Sequence, residues 1–229
     1  MSGDKKQRWV PLESNPEVLN KYIHNLGVPK HWEFVDVYGL DPELLMMVPQ
    51  PVVAVMLLYP ITDQSEAEEN KLGEEQSDVD GVYYMKQTVG NACGTVAVIH
   101  ALANNRDNIN FSDNKHFNKF LEETVGKAPD EIANILENDE AMGAAHDDSA
   151  QEGQTEAPSR DDKINTHFIA FVCRKDGLYE LDGRKNGPVF HGKTSADSLL
   201  EDSIEVVRQF MARDPAELNF TLMALVNNS

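Results

Sequence analysis

The chain has 229 residues, 41% of them hydrophobic, two cysteines and a formal net charge of −19. That is enough apolar mass for one core without disulfides, and Cys93 and Cys173 alone make neither a disulfide framework nor a structural zinc site. So acidic a surface repels phosphate backbones, which argues against nucleic-acid binding, and favours a basic partner. The first eight residues are polar, with no apolar core of the signal-peptide kind, and residues 1–7 are expected as a flexible tail. Asn15 caps a helix and Pro16 suits its first position. Val18, Leu19, Tyr22, Ile23 and Leu26 share one face of it, and Gly27 stops it. Residues 34–38 read as a short strand, and Asp41-Pro42 opens a short helix through Met47. Residues 52–59 are apolar without alternation, which predicts a central strand covered on both faces. Pro51 and Pro60 bracket the run, which is too short to span a bilayer. Residues 62–80 are acidic and predict a solvated loop or exposed helix.

Residues 93–103 are small and apolar all round, which predicts a buried helix. Residues 114–125 and 130–138 read as amphipathic helices. Residues 142–162, rich in Gly, Ala, Ser, Glu and Asp, show no apolar periodicity and read as a long loop of the functional kind. Residues 167–173 and 178–182 read as two strands joined at Asp176-Gly177. A helix over 198–213 and a strand over 218–226 follow. The sum is a single α/β domain over 1–229, with helices on both sides of a mostly antiparallel sheet.

The chemistry concentrates around Cys93. It stands where a loop of small residues (Gly90, Ala92, Gly94) enters a buried helix, and unpaired N–H groups at a helix start lower a thiol pKa. The Gln87 amide and the Cys93 N–H are candidate oxyanion donors. A thiolate nucleophile needs a base held by a third group. Among the histidines, His24, His31 and His116 lie beside ordinary helices and are expected in solvent. His100, two helical turns from Cys93, is about 10 Å away and reads as core. His146 falls in the polar loop, a poor platform. His167 opens one strand and Asp182 closes the next. With a hairpin turn over 174–177, Cys173 faces Leu178, His167 faces Arg184, and Asp182 becomes a diagonal neighbour of His167 on the same face. A three-residue loop puts the two on opposite faces. Cys173, among Phe, Ile and Val, reads as core packing. No metal-ligand spacing and no phosphate-binding glycine loop is present.

The order Gln87, Cys93, His167, Asp182 is that of papain-like thiol hydrolases. The stretches RWVPLESNPEV, FVDVYGLDPELL, KQTVGNACGT, EGQTEAPS, HFIAF, LYELDGRK and LLEDSIEVVRQFMARDPAEL go further. Through them, over residues 8–225, the chain resembles the ubiquitin C-terminal hydrolase family of deubiquitinating enzymes, and within it the short L3-type isozymes. The resemblance implies a papain-like fold with a knotted chain, an exception to the rule against knots. It makes residues 142–162 a crossover loop above the active site that limits the bulk of the departing group. It implies Gln87 as oxyanion donor, Cys93 as nucleophile, His167 as base and then acid, and Asp182 as orienting carboxylate. Leu12, Ile164 and Thr166 fall where the family grips the ubiquitin tail, and Asp36 where it touches the ubiquitin surface. The implied reaction removes small amides, esters, thioesters or short peptides from the C-terminal glycine of ubiquitin through a Cys93 thioester. The implied partner is ubiquitin or a ubiquitin-like modifier. No metal or other cofactor, no membrane and no nucleic acid is expected, and the protein is expected as a monomer in the cytoplasm or nucleus. The competing reading is a non-catalytic protein that stores ubiquitin, which turnover separates from an enzyme. The acidic 63–80 segment carries no family motif. The chain lacks the C-terminal extension of longer members, so recruitment to large complexes is not expected.

Overall fold

The computed structural model describes residues 7–67, 72–77, 79–112, 115–162 and 164–229. Among the described residues, seven strands form one sheet: β1 (Trp32–Asp36), β2 (Val52–Pro60), β3 (Glu74–Glu75), β4 (Thr166–Arg174), β5 (Gly177–Leu181), β6 (Val189–Lys193) and β7 (Thr221–Asn227). Their order is β1-β7-β2-β4-β5-β6-β3, and every pair is antiparallel. The interior strand β2, between β7 and β4, lacks alternation because both its faces are covered. Ala54 and Met56 face one core together with Phe168 and Ala170. Val55 and Leu57 face a second core with Ile169 and Phe171, closed by Leu200, Ile204, Val207 and Phe210 of α8 (Leu199–Arg213).

The first core is covered by helices. α1 (Pro16–Leu26) begins as expected, with the Asn15 side chain accepting the Glu17 N–H, and it ends at Gly27 in the left-handed region at φ 108°. Behind it lies α4 (Cys93–Ala103), whose residues 94–103 are all buried. Cys93 alone in that helix keeps part of its surface in solvent. The helices α5 (His116–Thr124) and α6 (Pro129–Glu137) add amphipathic cover, while α2 (Pro42–Leu45) packs Leu45 into the second core. Among the described residues, no helix is long and apolar enough to cross a membrane.

The structure revises several boundaries. β1 starts two residues earlier than expected, because Trp32 and Phe34 are its buried residues while Tyr38 is 75% exposed. The helix after Asp41 stops at Leu45, and Met46 and Met47 are exposed. The last strand starts at Thr221, leaving Leu218 outside it. The acidic segment contains α3 (Asp63–Ala67) and the short strand β3; residues 68–71 and 78 lie outside the described residues. The strand β6 was not anticipated. Of the expected tail, residues 1–6 lie outside the described residues, but the Gln7 carbonyl accepts the Gly90 N–H at 2.9 Å, so the segment is anchored there.

The largest revision concerns residues 142–162. Their first half is helical, within α7 (Glu140–Ala150). The Asp139 carboxylate starts it by accepting the N–H groups of Ala141 and Met142 at 3.1 and 3.0 Å. Its buried stripe is Met142, His146, Ser149 and Ala150, so half of the core-facing residues are polar. A hydrophobic pattern search cannot register such a stripe. The described loop residues after α7 are therefore 151–162 and 164–165.

Candidate active site

The β4–β5 turn decides whether His167 and Asp182 can meet. The chain reverses at Lys175 and Asp176, both with positive φ (48° and 60°), the shape of a two-residue hairpin turn. Arg174 pairs with Gly177, Cys173 with Leu178 and Ala170 with Leu181. This is the expected register, and continuing it puts Asp182 opposite Ile169, on the same face as His167. The His167 Nε2 lies 2.6 Å from the Asp182 Oδ1, and both side chains are buried. The same oxygen accepts the Arg184 N–H at 2.9 Å. Tyr59, opposite His167 on β2, packs edge-on against the imidazole, with ring centroids 5.8 Å apart.

Cys93 is the first residue of α4, and the preceding Ala92 supplies no side-chain cap. The amides of that first turn are therefore left to act on the sulfur. With Nε2 of His167 committed to Asp182, Nδ1 remains for the thiol. Burial alone raises the Cys93 pKa, but the His167 hydrogen bond and charge and the Phe168 and Gly94 amides outweigh it, and the thiol is lowered. For His167, burial disfavours the imidazolium. The charge and hydrogen bond of Asp182 and the neighbouring sulfur prevail and push its pKa up to about 10. Burial disfavours the Asp182 carboxylate too, yet His167, the Arg184 N–H and Lys185 hold its pKa below the ordinary value. In all three groups the shift favours the charged form: Cys93 is lowered, His167 raised and Asp182 lowered. Cys173 supplies an internal control: it is half-buried beside the second core, and burial raises its thiol. With limiting iodoacetamide near pH 7, Cys93 is expected to be carboxamidomethylated at least about tenfold faster than Cys173. Peptide mass spectrometry reads the ratio, and equal rates would remove the thiolate.

A thiol of lowered pKa beside a carboxylate-supported imidazole is the equipment of a cysteine hydrolase. The family model described as ubiquitin carboxyl-terminal hydrolase, family 1, matches residues 9–212. The chain belongs to this family. A ubiquitin carboxyl-terminal hydrolase of Aplysia californica is 60% identical over 211 residues, covering 92% of this chain and 98% of the relative. The isozyme L1 of Homo sapiens is 48% identical over 218 residues, covering 94% and 96%. In fold, the chain is similar to the Trichinella spiralis UCH37 catalytic domain bound to ubiquitin vinyl methyl ester, with a TM-score of 0.78 at 22% identity and 96% coverage of each chain.

In this member of the hydrolase family, Gln87 is tied to the turn that follows β5. Its N–H donates to the Gly183 carbonyl at 2.9 Å, next to Asp182. A Cβ at Gly183 would lie 2.9 Å from the Gln87 Cβ and 3.0 Å from its backbone nitrogen, so only glycine allows this approach. The Gln87 Nε2 donates to the Val89 carbonyl at 3.2 Å. Leu12 is buried, with its Cβ 3.2 Å from where a Cβ on Gly94 would stand, so it packs against the first turn of α4. Thr166 and Ile164 are half-buried at and just before the start of β4. Asp36 stands apart: β1 is three strands from β4, about 14 Å across the sheet. Burial raises its carboxyl pKa.

Other residues near the site gave little sequence signal. Asn91 adopts a positive φ of 62° two residues before Cys93. Its Nδ2 donates to the Trp9 and Arg160 carbonyls at 3.1 and 3.2 Å, and its Oδ1 accepts from Arg8 at 3.4 Å. Arg8 also donates to the Arg160 and Asp162 carbonyls at 2.8 and 3.2 Å, so the loop is fastened at residues 160–162 to the N-terminal segment beside the nucleophile. Asn tolerates left-handed backbone and offers donors and acceptor together, which is the one clue its type contained. His146 is not in a loop: it is buried on α7, with Nδ1 2.8 Å from the Thr95 Oγ1 and Nε2 2.5 Å from the Val10 carbonyl. Two histidines expected in solvent have partners, since His116 meets the Asp139 carboxylate at 2.6 Å and His24 lies 3.0 Å from the Trp32 carbonyl. His100 is the buried core histidine that was expected, accepting the Met85 N–H at 3.1 Å.

Proposed function

We propose that Cys93, His167, Asp182 and Gln87 are the catalytic residues of a cysteine-type deubiquitinating hydrolase that acts on the C-terminus of ubiquitin. The observation that carries the assignment is the buried 2.6 Å contact between His167 and Asp182, which leaves the other imidazole nitrogen for the sulfur at the head of α4. The thiolate of Cys93 attacks the carbonyl carbon of ubiquitin's last glycine. The tetrahedral oxyanion is stabilised by the Gln87 amide and the Cys93 N–H, donors of the oxyanion-hole kind. His167 then gives its proton to the departing amine, alkoxide or thiolate, and a thioester remains on Cys93. Neutral His167 takes a proton from water, the hydroxide equivalent attacks the thioester, and ubiquitin leaves with its free carboxylate.

The substrates are ubiquitin carrying small amides, esters, thioesters or short peptides. Leu12, Ile164 and Thr166 serve the ubiquitin tail, and Asp36 the ubiquitin surface. The distance of Asp36 from the catalytic row suits a partner as large as a folded protein. The placement beside L3-type isozymes, the monomeric state and the cytoplasmic or nuclear location belong to the same reading; the two free cysteines suit the last of these, a reducing compartment.

Ubiquitin bearing a C-terminal vinyl methyl ester tests the assignment. One equivalent is expected to form a covalent adduct on the peptide containing Cys93 and none on that containing Cys173. An adduct on Cys173, or no adduct, would overturn the reading.

A further inference from the structure

Behind Asp182, on the α8 side of the sheet, lies a second group of buried charges that the reaction as written does not use. Glu180 precedes Asp182 by two residues on β5 and is fully buried. Its Oε2 lies 2.7 Å from the His191 Nε2, and its Oε1 lies 2.8 Å from the Lys185 Nζ. The lysine contact is a close buried ion pair. All three side chains are at least nine-tenths buried. Lys185 also closes the turn that carries Asp182, its N–H donating to the Asp182 carbonyl at 3.0 Å. The Tyr84 hydroxyl, 2.7 Å from the Asp182 carbonyl and 2.6 Å from that of Lys185, clamps the turn from the other side.

Burying a lysine and a glutamate costs several kcal/mol per ion before their attraction is counted. The neighbours of Glu180 on this face, Phe171 and Leu178, belong to an apolar core that an apolar side chain would suit. Two carboxylates two residues apart on one face also repel each other. Among the described residues the Asp182 Oδ2 has no hydrogen-bond partner, so nearby positive charge adds to the two hydrogen bonds on Oδ1 in supporting the anion.

We infer that Lys185 is a positioning residue for the proposed catalytic carboxylate, anchored on Glu180 so that it fixes the Asp182–Lys185 turn and sets a buried positive charge against Asp182. From Cys93 inward the buried groups then alternate in sign, through His167, Asp182 and Lys185 to Glu180. The charge of Lys185 lowers the pKa values of both carboxylates. The groups that face Asp182 are His167 from β4, Tyr84 from the segment before α4, His100 from α4, and Lys185 and the Arg184 N–H from its own turn. Removing the Lys185 cation favours protonation of Asp182, which then supports the His167 imidazolium less and, through it, the Cys93 thiolate less, so the acid limb of activity must move up in pH. Removing the Glu180 anion must move it down.

The inference rests on the proposed roles of Cys93, His167 and Asp182. It is tested with the full chain and ubiquitin carrying a C-terminal fluorophore. Lys185→Met is expected to lower kcat about tenfold with KM unchanged and to raise the acid limb of kcat/KM by about one pH unit, and Lys185→Arg to restore the limb. Glu180→Gln is expected to shift the limb the opposite way, and it carries the test alone if Lys185→Met does not fold. A limb that stays in place in the folded variants, with only the melting temperature lowered, overturns the inference and leaves a structural ion pair. If Cys93→Ala retains turnover, the catalytic assignment itself fails. If Cys93→Ala is inactive and the limbs do not move, the Lys185 inference alone falls.

Discussion

Cys93→Ala is expected to lower turnover of ubiquitin carrying a C-terminal fluorophore by about 10⁴–10⁶-fold, the range seen when the nucleophile of a catalytic triad is removed. The fold should survive the change. Cys93 is the one residue of α4 that is only partly buried, its replacement removes a single heavy atom, and Ala is the best helix former. Ubiquitin should still bind, because the variant removes one atom from the reacting centre and none from the surfaces proposed to hold the tail. The imidazole supplies a second readout. The Cys93 sulfur is one of the influences that raise the His167 pKa, so the His167 resonance followed by NMR should titrate at lower pH in the variant. Turnover within tenfold of the parent would mean that another nucleophile does the work. Cys173 is no substitute, since it lies on β4 with its thiol raised.

The parts of this site that were legible in the sequence are those where local rules and tertiary needs coincide. The 93–103 run announced a buried helix through its composition, and its first residue is where a thiolate gains most from unpaired amides. His167 and Asp182 could be paired on paper because a tight hairpin fixes register and register fixes faces. The turn proved to be Lys175-Asp176, with Gly177 already in β5, yet Cys173 still faces Leu178. What escaped notice depends on polar groups satisfied from far along the chain. His146 and Ser149 lie on the buried stripe of α7 because Thr95, the Val10 carbonyl and the Ala145 carbonyl are there to bond them. Ala145 is within the helix, but Thr95 and Val10 are not and cannot be read from it, so 142–150 carries no helical signal in its own apolar pattern. The same holds for Glu180 and Lys185, which LYELDGRK presents as ordinary charges. Only the folded turn shows that both are buried and face each other.

Asp182→Asn separates the charge of the carboxylate from its shape. The amide oxygen can still accept from His167 Nε2 and the Arg184 N–H, the two bonds made by Asp182 Oδ1. The NH2 group then takes the place of Oδ2, which has no hydrogen-bond partner, so its donors stand buried and unsatisfied at a cost of about 1–3 kcal/mol. The larger effect is electrostatic. Asp182 supplies the main force that raises His167, whose pKa stands at about 10. Without that charge the imidazolium gives up its proton at lower pH, and neutral His167 no longer stabilises the thiolate. The alkaline limb of kcat/KM should therefore move down from near 10 toward the ordinary histidine value. Loss of activity at pH 8 is expected to be on the order of 10²–10⁴-fold, as when a triad carboxylate is neutralised. Stability follows the same signs. A raised His167 contributes stability fully below its unfolded pKa of about 6.5 and loses it as pH rises through about 10. A depressed Asp182 contributes above its unfolded pKa of about 3.9 and loses it as pH falls through the lower folded value. Both contributions are complete only between about pH 4 and 6.5, so the melting-temperature difference between parent and Asp182→Asn should be largest in that window and shrink on either side. A difference independent of pH, with the alkaline limb unmoved, would mean that Asp182 holds the imidazole by shape alone and that its charge contributes nothing to the thiolate.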